Sequence, residues 1–123
     1  HPESDGEKVR LYRDRVTEIG RRIPPDEAPA EFTGVAKFTA AGARRLVEHF
    51  QRARVRFEGR PFGTSVSFAR AYLIDLLQAM LIAGETLHAV ETPGGYFEVD
   101  TTEDFGLASR DWATARRRSG SAR

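Results

Sequence analysis

The segment Gly94-Gly95-Tyr96-Phe97-Glu98-Val99-Asp100-Thr101-Thr102-Glu103-Asp104-Phe105 predicts a strand that turns directly into a helix. Two glycines mark a turn, and Tyr96–Val99 are mostly strand formers. Thr101 suits a helix N-cap, and Asp104 three residues later can complete a capping box. Asp100 would then lie at the carboxyl end of a strand, where α/β proteins tend to bind ligands and metal ions. The alternative is an ordinary β-to-α connection in which Asp100 binds only backbone donors.

The same segment carries a pair of carboxylates. Side chains alternate along a strand, so Glu98 and Asp100 are expected on one face. Mg²⁺ takes few protein carboxylates and otherwise prefers phosphate and water oxygens. The pair therefore predicts a site for a divalent metal and for phosphate chemistry.

Upstream of this segment the pattern alternates strands and helices. The predicted strands are Lys8–Tyr12, Val16–Ile19, Glu31–Phe38 with a bulge at Gly34, and Thr86–Glu91. The first two are expected to form a hairpin, and residues 21–30 a loop rich in proline. This order predicts an α/β or α+β layered domain of residues 1–115, followed by a flexible basic tail of residues 116–123.

Three helices are expected. Thr39 can cap the first, whose apolar face would consist of Ala43, Leu46, Val47 and Phe50. The second and longest would begin at Ser65 or Ser67, pack through Leu73, Leu76, Leu77, Met80 and Leu81, and end at Gly84. The third would present Phe105, Ala108, Trp112 and Ala115 on one face.

The second predicted helix also suggests a binding surface. At helical spacing Phe68, Tyr72 and Asp75 would form a line beside the apolar stripe. Two aromatic rings and a carboxylate could hold a cationic or hydroxylated ligand. The alternative is a partly exposed Asp75 next to Arg70.

Composition excludes several classes of function. The net charge of +1 gives no general reason to expect nucleic acid as a partner, and no apolar run is long enough for a membrane span. There are no cysteines, which fits a reducing compartment, and we expect a cytoplasmic protein. Glycine-rich nucleotide motifs and the hydrolase nucleophile motif are absent, and His1, His49 and His88 lack zinc-ligand spacing.

Four segments together resemble the C-terminal half of a nucleotidyltransferase. The subgroup is the sugar-1-phosphate and choline-phosphate or phosphonate cytidylyltransferase-like group, of the type associated with phosphoenolpyruvate mutase. The matching segments, in order, are residues 1–9, Glu31–Phe38, Phe68–Gln78 and Gly94–Asp104. The resemblance implies the C-terminal part of a Rossmann-like fold, with a mixed sheet flanked by helices.

Such enzymes join a phosphate or phosphonate oxygen to the α-phosphorus of a nucleoside triphosphate and release pyrophosphate. The resemblance implies Mg²⁺ as cofactor, with Asp100 as a metal ligand and Glu98 as its supporting neighbour. It places Tyr72 and Asp75 in the acceptor pocket. The remaining candidates lie near the acceptor or the phosphates: Lys37 as a catalytic residue, and Glu31 and, more weakly, Lys8 as substrate-binding residues. The expected partners are CTP, favoured among the triphosphates, and a small phosphonate or phosphorylated alcohol.

The family's glycine-rich loop, base-recognition residues and first metal-binding Asp belong to an N-terminal half that is absent from this sequence. We therefore expect these 123 residues to be inactive alone. Homo-oligomerisation is left open. The alternative function is that of a non-catalytic α/β interaction module or inactive fragment, in which the acidic strand end is structural.

Overall fold

The computed structural model describes residues 6–94 and 99–120. It divides into two compact units, residues 1–91 and residues 92–123. The strands are β1 (Lys8–Tyr12), β2 (Arg15–Gly20) and β3 (Ala30–Glu31). The helices are α1 (Ala40–Arg56), α2 (Leu73–Ile82) and α3 (Thr102–Gly120), with short 3₁₀ turns at Pro25–Glu27 and Phe68–Arg70.

The first unit contains a three-stranded antiparallel sheet in the order β2-β1-β3. The hairpin of β1 and β2 is confirmed, with Val9 opposite Ile19 and Tyr12 opposite Arg15. Lys8 and Val9 pair with Glu31 and Ala30 on the other side of β1. The chain is thus a mixed α and β protein, as expected, and all the strand pairing among its described residues is antiparallel.

The core of the first unit lies between this sheet and α2. Its buried side chains come from both strands of the hairpin, from α1 and α2, and from the loop between the two helices: Val9, Ile19, Ala53, Phe62, Ile74, Leu76, Leu77 and Met80. Phe62 packs against Phe57 and Phe68 with ring centroids 5.1 and 5.3 Å apart. Four of the eight core residues lie on α2, so this helix holds the unit together.

The predicted strand Glu31–Phe38 is wrong beyond its first residue. Phe32 still donates its N–H to the carbonyl of Glu7, at 2.7 Å, and then the pairing stops. Gly34 adopts a φ of 86°, which an extended strand does not permit, and Val35 is 79% exposed. The segment therefore runs as irregular chain up to Thr39.

Thr39 caps α1 as predicted, because its hydroxyl accepts the N–H of Gly42 at 3.0 Å. The apolar face is shifted from the expected one. Ala43 and Val47 are exposed, whereas Leu46 and Ala53 contact the core. The four-residue pattern therefore predicted the helix and the packing of Leu46 correctly, but not the exposure of Ala43 and Val47.

Helix α2 starts later than predicted and is the shortest of the three α-helices described. Ser67 is extended and makes no side-chain cap, and a 3₁₀ turn follows it. Helical geometry begins only at Leu73, with Tyr72 as N-cap. The expected helical line of Phe68, Tyr72 and Asp75 does not form, because the first two residues precede the helix.

The end of α2 is as predicted. Gly84 has a φ of 96°, its N–H donates to Leu81, and the N–H of Glu85 donates to Met80. These two bonds form a Schellman motif, which requires the left-handed conformation that glycine adopts without strain. The strand predicted for Thr86–Glu91 is reduced to one bridge between His88 and Arg15 of β2.

The second unit contains α3. The capping box predicted at its start is confirmed: Asp104 donates its N–H to the Thr101 hydroxyl and accepts the Thr101 N–H, at 3.1 and 3.0 Å. The helix continues through Arg116–Arg118 to Gly120, so that this part of the expected tail is helical. Of the predicted strand Tyr96–Val99, residues 96–98 lie outside the described ranges, and Val99 is described but is not part of a strand. No helix in the described ranges is long and apolar enough to cross a membrane.

Candidate functional site

Asp75 organises the loop that precedes α2. Its side chain is 5% exposed, and both carboxylate oxygens accept hydrogen bonds. Oδ1 accepts the N–H and the hydroxyl of Thr64 at 3.0 and 3.1 Å. Oδ2 accepts the Ser65 hydroxyl at 2.8 Å and the Tyr72 N–H at 2.9 Å. Asp75 thus joins two stretches of chain to the first turn of α2, where a negative charge is also favoured by the helix dipole.

These bonds decide the protonation state of Asp75. Burial raises the pKa of the carboxyl. The opposing effect of the hydrogen bonds is larger: they come from the backbone N–H groups of Thr64 and Tyr72 and from the hydroxyls of Ser65 and Thr64. The net pKa lies below the ordinary value, so the group is ionised. Its oxygens are engaged by protein donors, so in this geometry the direct effect of Asp75 is to position Tyr72 rather than to present a carboxylate to a ligand.

The loop held by Asp75 forms one wall of an open cleft of about 370 Å³. We call it the arginine cleft. It is lined by residues from three separate parts of the chain: Arg21, Arg22, Thr64, Ser65, Val66, Arg70 and Tyr72. The lining contains three guanidinium groups and no carboxylate. An arrangement of this kind favours an anionic ligand.

Arg21 and Tyr72 are in direct contact in this cleft. The guanidinium carbon of Arg21 lies 3.9 Å from the centroid of the Tyr72 ring, a cation–π geometry. Glu7 lies 3.5 Å from Arg21 Nη2. Burial lowers the pKa of Arg21, but the interactions with Tyr72 and Glu7 outweigh it and the pKa is raised. Nε of Arg21 is buried and has no hydrogen-bond acceptor among the described residues.

A second cleft brings together two other predicted residues. Lys8 and Glu31, opposite each other across β1 and β3, both line a space of about 480 Å³ with Pro25, Asp26 and Ala28. Lys8 is only 3% exposed, whereas Glu31 is exposed at the rim. We call this the acidic cleft, since it carries two carboxylates and one amine. Its charge suits a cationic or hydroxylated group.

The other predicted residues lie elsewhere. Lys37 is exposed in the irregular segment before α1 and lines neither cleft. Asp100 belongs to the second unit, and Glu98 lies outside the described residues. The structure therefore brings Lys8 together with Glu31, and Tyr72 together with Asp75, but does not join the two pairs in one cleft.

Asp100 lies two residues before the start of α3 and is exposed. Its backbone N–H donates to Asp104 Oδ2 at 3.2 Å, so the capping box also fixes the main chain of Asp100. The Thr101 side chain, helped by the backbone N–H groups of Asp100 and Thr101, stabilises the Asp104 carboxylate and so lowers its pKa. Asp104 thus provides the cap of α3.

A carboxylate oxygen is a hard donor of the kind that Mg²⁺ prefers. Within residues 6–94 and 99–120, however, no three His, Cys, Asp or Glu side chains are grouped as metal ligands. Asp100 does not form a metal site with other described side chains, and a metal bound there would need further ligands.

The arginines of the cleft are not among the residues predicted from the sequence. Arg21 and Arg22 fall in a predicted loop, and Arg70 enters the predictions only as a neighbour of Asp75. The available signal was weak: two adjacent arginines at the end of a strand and a third before a helix. Only the fold brings them to one surface.

Comparison of the chain with protein-family models, with curated proteins and with solved structures found no match.

Proposed function

We propose that this chain is the C-terminal portion of a Rossmann-like nucleotidyltransferase domain in the cytoplasm. The complete domain would transfer a nucleotidyl group, from CTP by preference, to a small phosphonate or phosphorylated alcohol and release pyrophosphate. The proposal rests on the resemblance of four segments in the same order. The structural observation that carries it is the position of Asp100, exposed and with its main chain fixed by the capping box of α3.

In this proposal Asp100 would hold Mg²⁺ together with Glu98 and with a carboxylate of the missing half. The metal, when bound, neutralises negative charge on the reacting phosphates. The chain itself supplies a carboxylate whose backbone does not have to be ordered on binding. A preorganised group of this kind lowers the barrier without reorganisation during the reaction.

The acceptor would be held by the first unit. Tyr72, 50% exposed, lines the arginine cleft, while Lys8 and Glu31 line the acidic cleft. Asp75 would contribute by fixing the main chain at Tyr72. Lys37 is exposed and would meet the phosphates only in the complete domain.

The test uses a protein that carries both halves of the domain. Asp100→Asn keeps the shape of the side chain and removes its charge, and we expect Mg²⁺-dependent release of pyrophosphate from CTP to fall by about 100-fold or more. Asp111→Asn, at an exposed position of α3, is the matched control and should leave the rate unchanged. Full turnover by the Asp100 variant would show that the metal assignment is wrong.

The second candidate function, a non-catalytic interaction module, is favoured by α3. Phe105 and Trp112, seven residues apart on one face, are 64% and 68% exposed. Exposed aromatic residues on one helix face are typical of contacts with another protein. Sedimentation of the chain with and without Phe105→Ser and Trp112→Ser tests whether that contact is with a second copy. A monomer in both cases would remove self-association from this candidate.

A further inference from the structure

We infer that the arginine cleft is a binding site for a small molecule that carries a phosphate or phosphonate group. Arg22 and Arg70 would donate hydrogen bonds to this group, and Arg21 would contribute a charge held in place by Tyr72. The site requires neither a metal nor nucleotidyl transfer. If the proposed function also holds, the group belongs to the acceptor.

The guanidinium groups of the two more exposed arginines can turn towards a ligand. Arg22 and Arg70 are exposed and line the same cleft. Within the described ranges, neither guanidinium forms a salt bridge or a side-chain hydrogen bond. Each can therefore turn its paired N–H groups towards a ligand without losing a protein partner. Guanidinium groups match the spacing of phosphoryl oxygens, with which they form bidentate, charge-assisted bonds.

The negative charges near the arginine cleft are already engaged. Glu7 is paired with Arg21, and Asp75 accepts four hydrogen bonds from its own loop and helix start. Three positive and two negative side chains leave the cleft with an excess of positive charge. The hydroxyls of Thr64 and Ser65 already donate to Asp75, so the arginines remain the donors for an anion.

Arg21 is held in position by its neighbours. Its guanidinium lies against the Tyr72 ring, and Tyr72 is fixed in turn by the bond from its N–H to Asp75. The charge of Arg21 is therefore preorganised, which reduces the entropy that is lost when a ligand binds. The volume of the arginine cleft, about 370 Å³, suits a small molecule rather than a long polymer.

The experiment measures binding of methylphosphonate and of inorganic phosphate to the 123-residue chain by NMR titration, without metal or nucleotide. We expect saturable binding with a Kd near 1 mM, about that of a few exposed charge-assisted bonds. Chemical shift changes should be confined to the cleft. Arg22→Ala and Arg70→Ala should each weaken binding by about 10-fold, since each removes a charged hydrogen-bond donor.

Two further variants separate a site from general electrostatic attraction. Arg52→Ala removes an exposed charge from α1, outside the cleft, and should change the Kd by less than about twofold. Arg70→Lys keeps the charge but not the planar fork, and should bind with intermediate affinity.

An equal effect of Arg52→Ala and Arg70→Ala would overturn the inference, as would the absence of saturation. A short oligonucleotide that bound more tightly than phosphate, after the affinity is corrected for the number of phosphate groups, would also overturn the inference and would indicate a nucleic-acid surface. Because no metal or nucleotide is present, binding can succeed while the Asp100 test of turnover fails, and the reverse.

Discussion

The carboxylate of Asp75 lies directly against the backbone of Gly63, in the space that a Cβ atom at Gly63 would occupy. Gly63 also has a φ of 57°, which other residues adopt only with strain. The loop before α2 can therefore close on Asp75 only because position 63 has no side chain. The contact between Asp75 and Gly63 can therefore be tested by substitution, without any ligand.

Gly63→Ala should destabilise the protein more than the same change at Gly59. Gly59 also has a positive φ, of 66°, but nothing lies within 4 Å of a Cβ placed there. Alanine at Gly59 should cost about 1 kcal/mol for backbone strain, and at Gly63 about 2–4 kcal/mol, because the carboxylate must also move. Urea denaturation measures both. Equal losses would show that the loop has room for a methyl group.

Asp75→Asn should lower the free energy of unfolding by about 2–4 kcal/mol, because an amide offers one acceptor oxygen where two are engaged. The amide nitrogen would face donors from the loop or from Tyr72. Thermal or urea unfolding gives the value. Asp111→Asn, on the exposed surface of α3, should change stability by no more than about 0.5 kcal/mol. A similar small change at both positions would contradict the network.

Stability should fall in acid, and Asp75 should account for part of the loss. Its pKa in the folded chain lies below the ordinary value of 3.8, so the unfolded chain takes up the proton first as the pH falls. The stabilisation is present above 3.8 and is lost as the pH drops through the lower folded pKa. Unfolding measured between pH 7 and pH 2 should show a weaker pH dependence for Asp75→Asn than for the wild type. Parallel curves would mean that Asp75 does not titrate differently on folding.

Thr39→Ala should cost about 1 kcal/mol, because the N–H of Gly42 loses the hydroxyl that caps α1. Thr39→Ser keeps that hydroxyl and should stay within about 0.5 kcal/mol of the wild type. Both values come from urea denaturation. If serine and alanine have the same effect, the cap at Thr39 does not contribute.

The features that were predicted correctly depend on nearby residues. The hairpin of β1 and β2 follows from alternating side chains around a short polar turn, and the caps at Thr39 and Thr101 each involve a partner three residues away. The predicted start of α2 is wrong because it depends on Asp75 binding Thr64 and Ser65, eleven and ten residues upstream. No helical periodicity contains that information.

The candidate site was only partly predictable for the same reason. Tyr72 is a candidate from the sequence and does line a cleft, but as the partner of Arg21, 51 residues earlier in the chain. Arg21 and Arg22 follow the end of β2, and Arg70 lies in the 3₁₀ turn before α2. Only tertiary packing places the three positive charges in one cleft. The expected pairing of Glu98 with Asp100 stays a prediction, since Glu98 lies outside the described residues.

The bonds around Asp75 have a practical consequence for protein engineering. The carboxylate of Asp75 fixes both the loop and the N–H of Tyr72. Variants at Thr64, Ser65 or Asp75 should therefore bind ligand more weakly, because the loop that lines the cleft loses its conformation. A library designed to change ligand choice should leave those positions intact. Diversity belongs instead at Val66 and Arg70, which line the cleft and make no side-chain bond to Asp75.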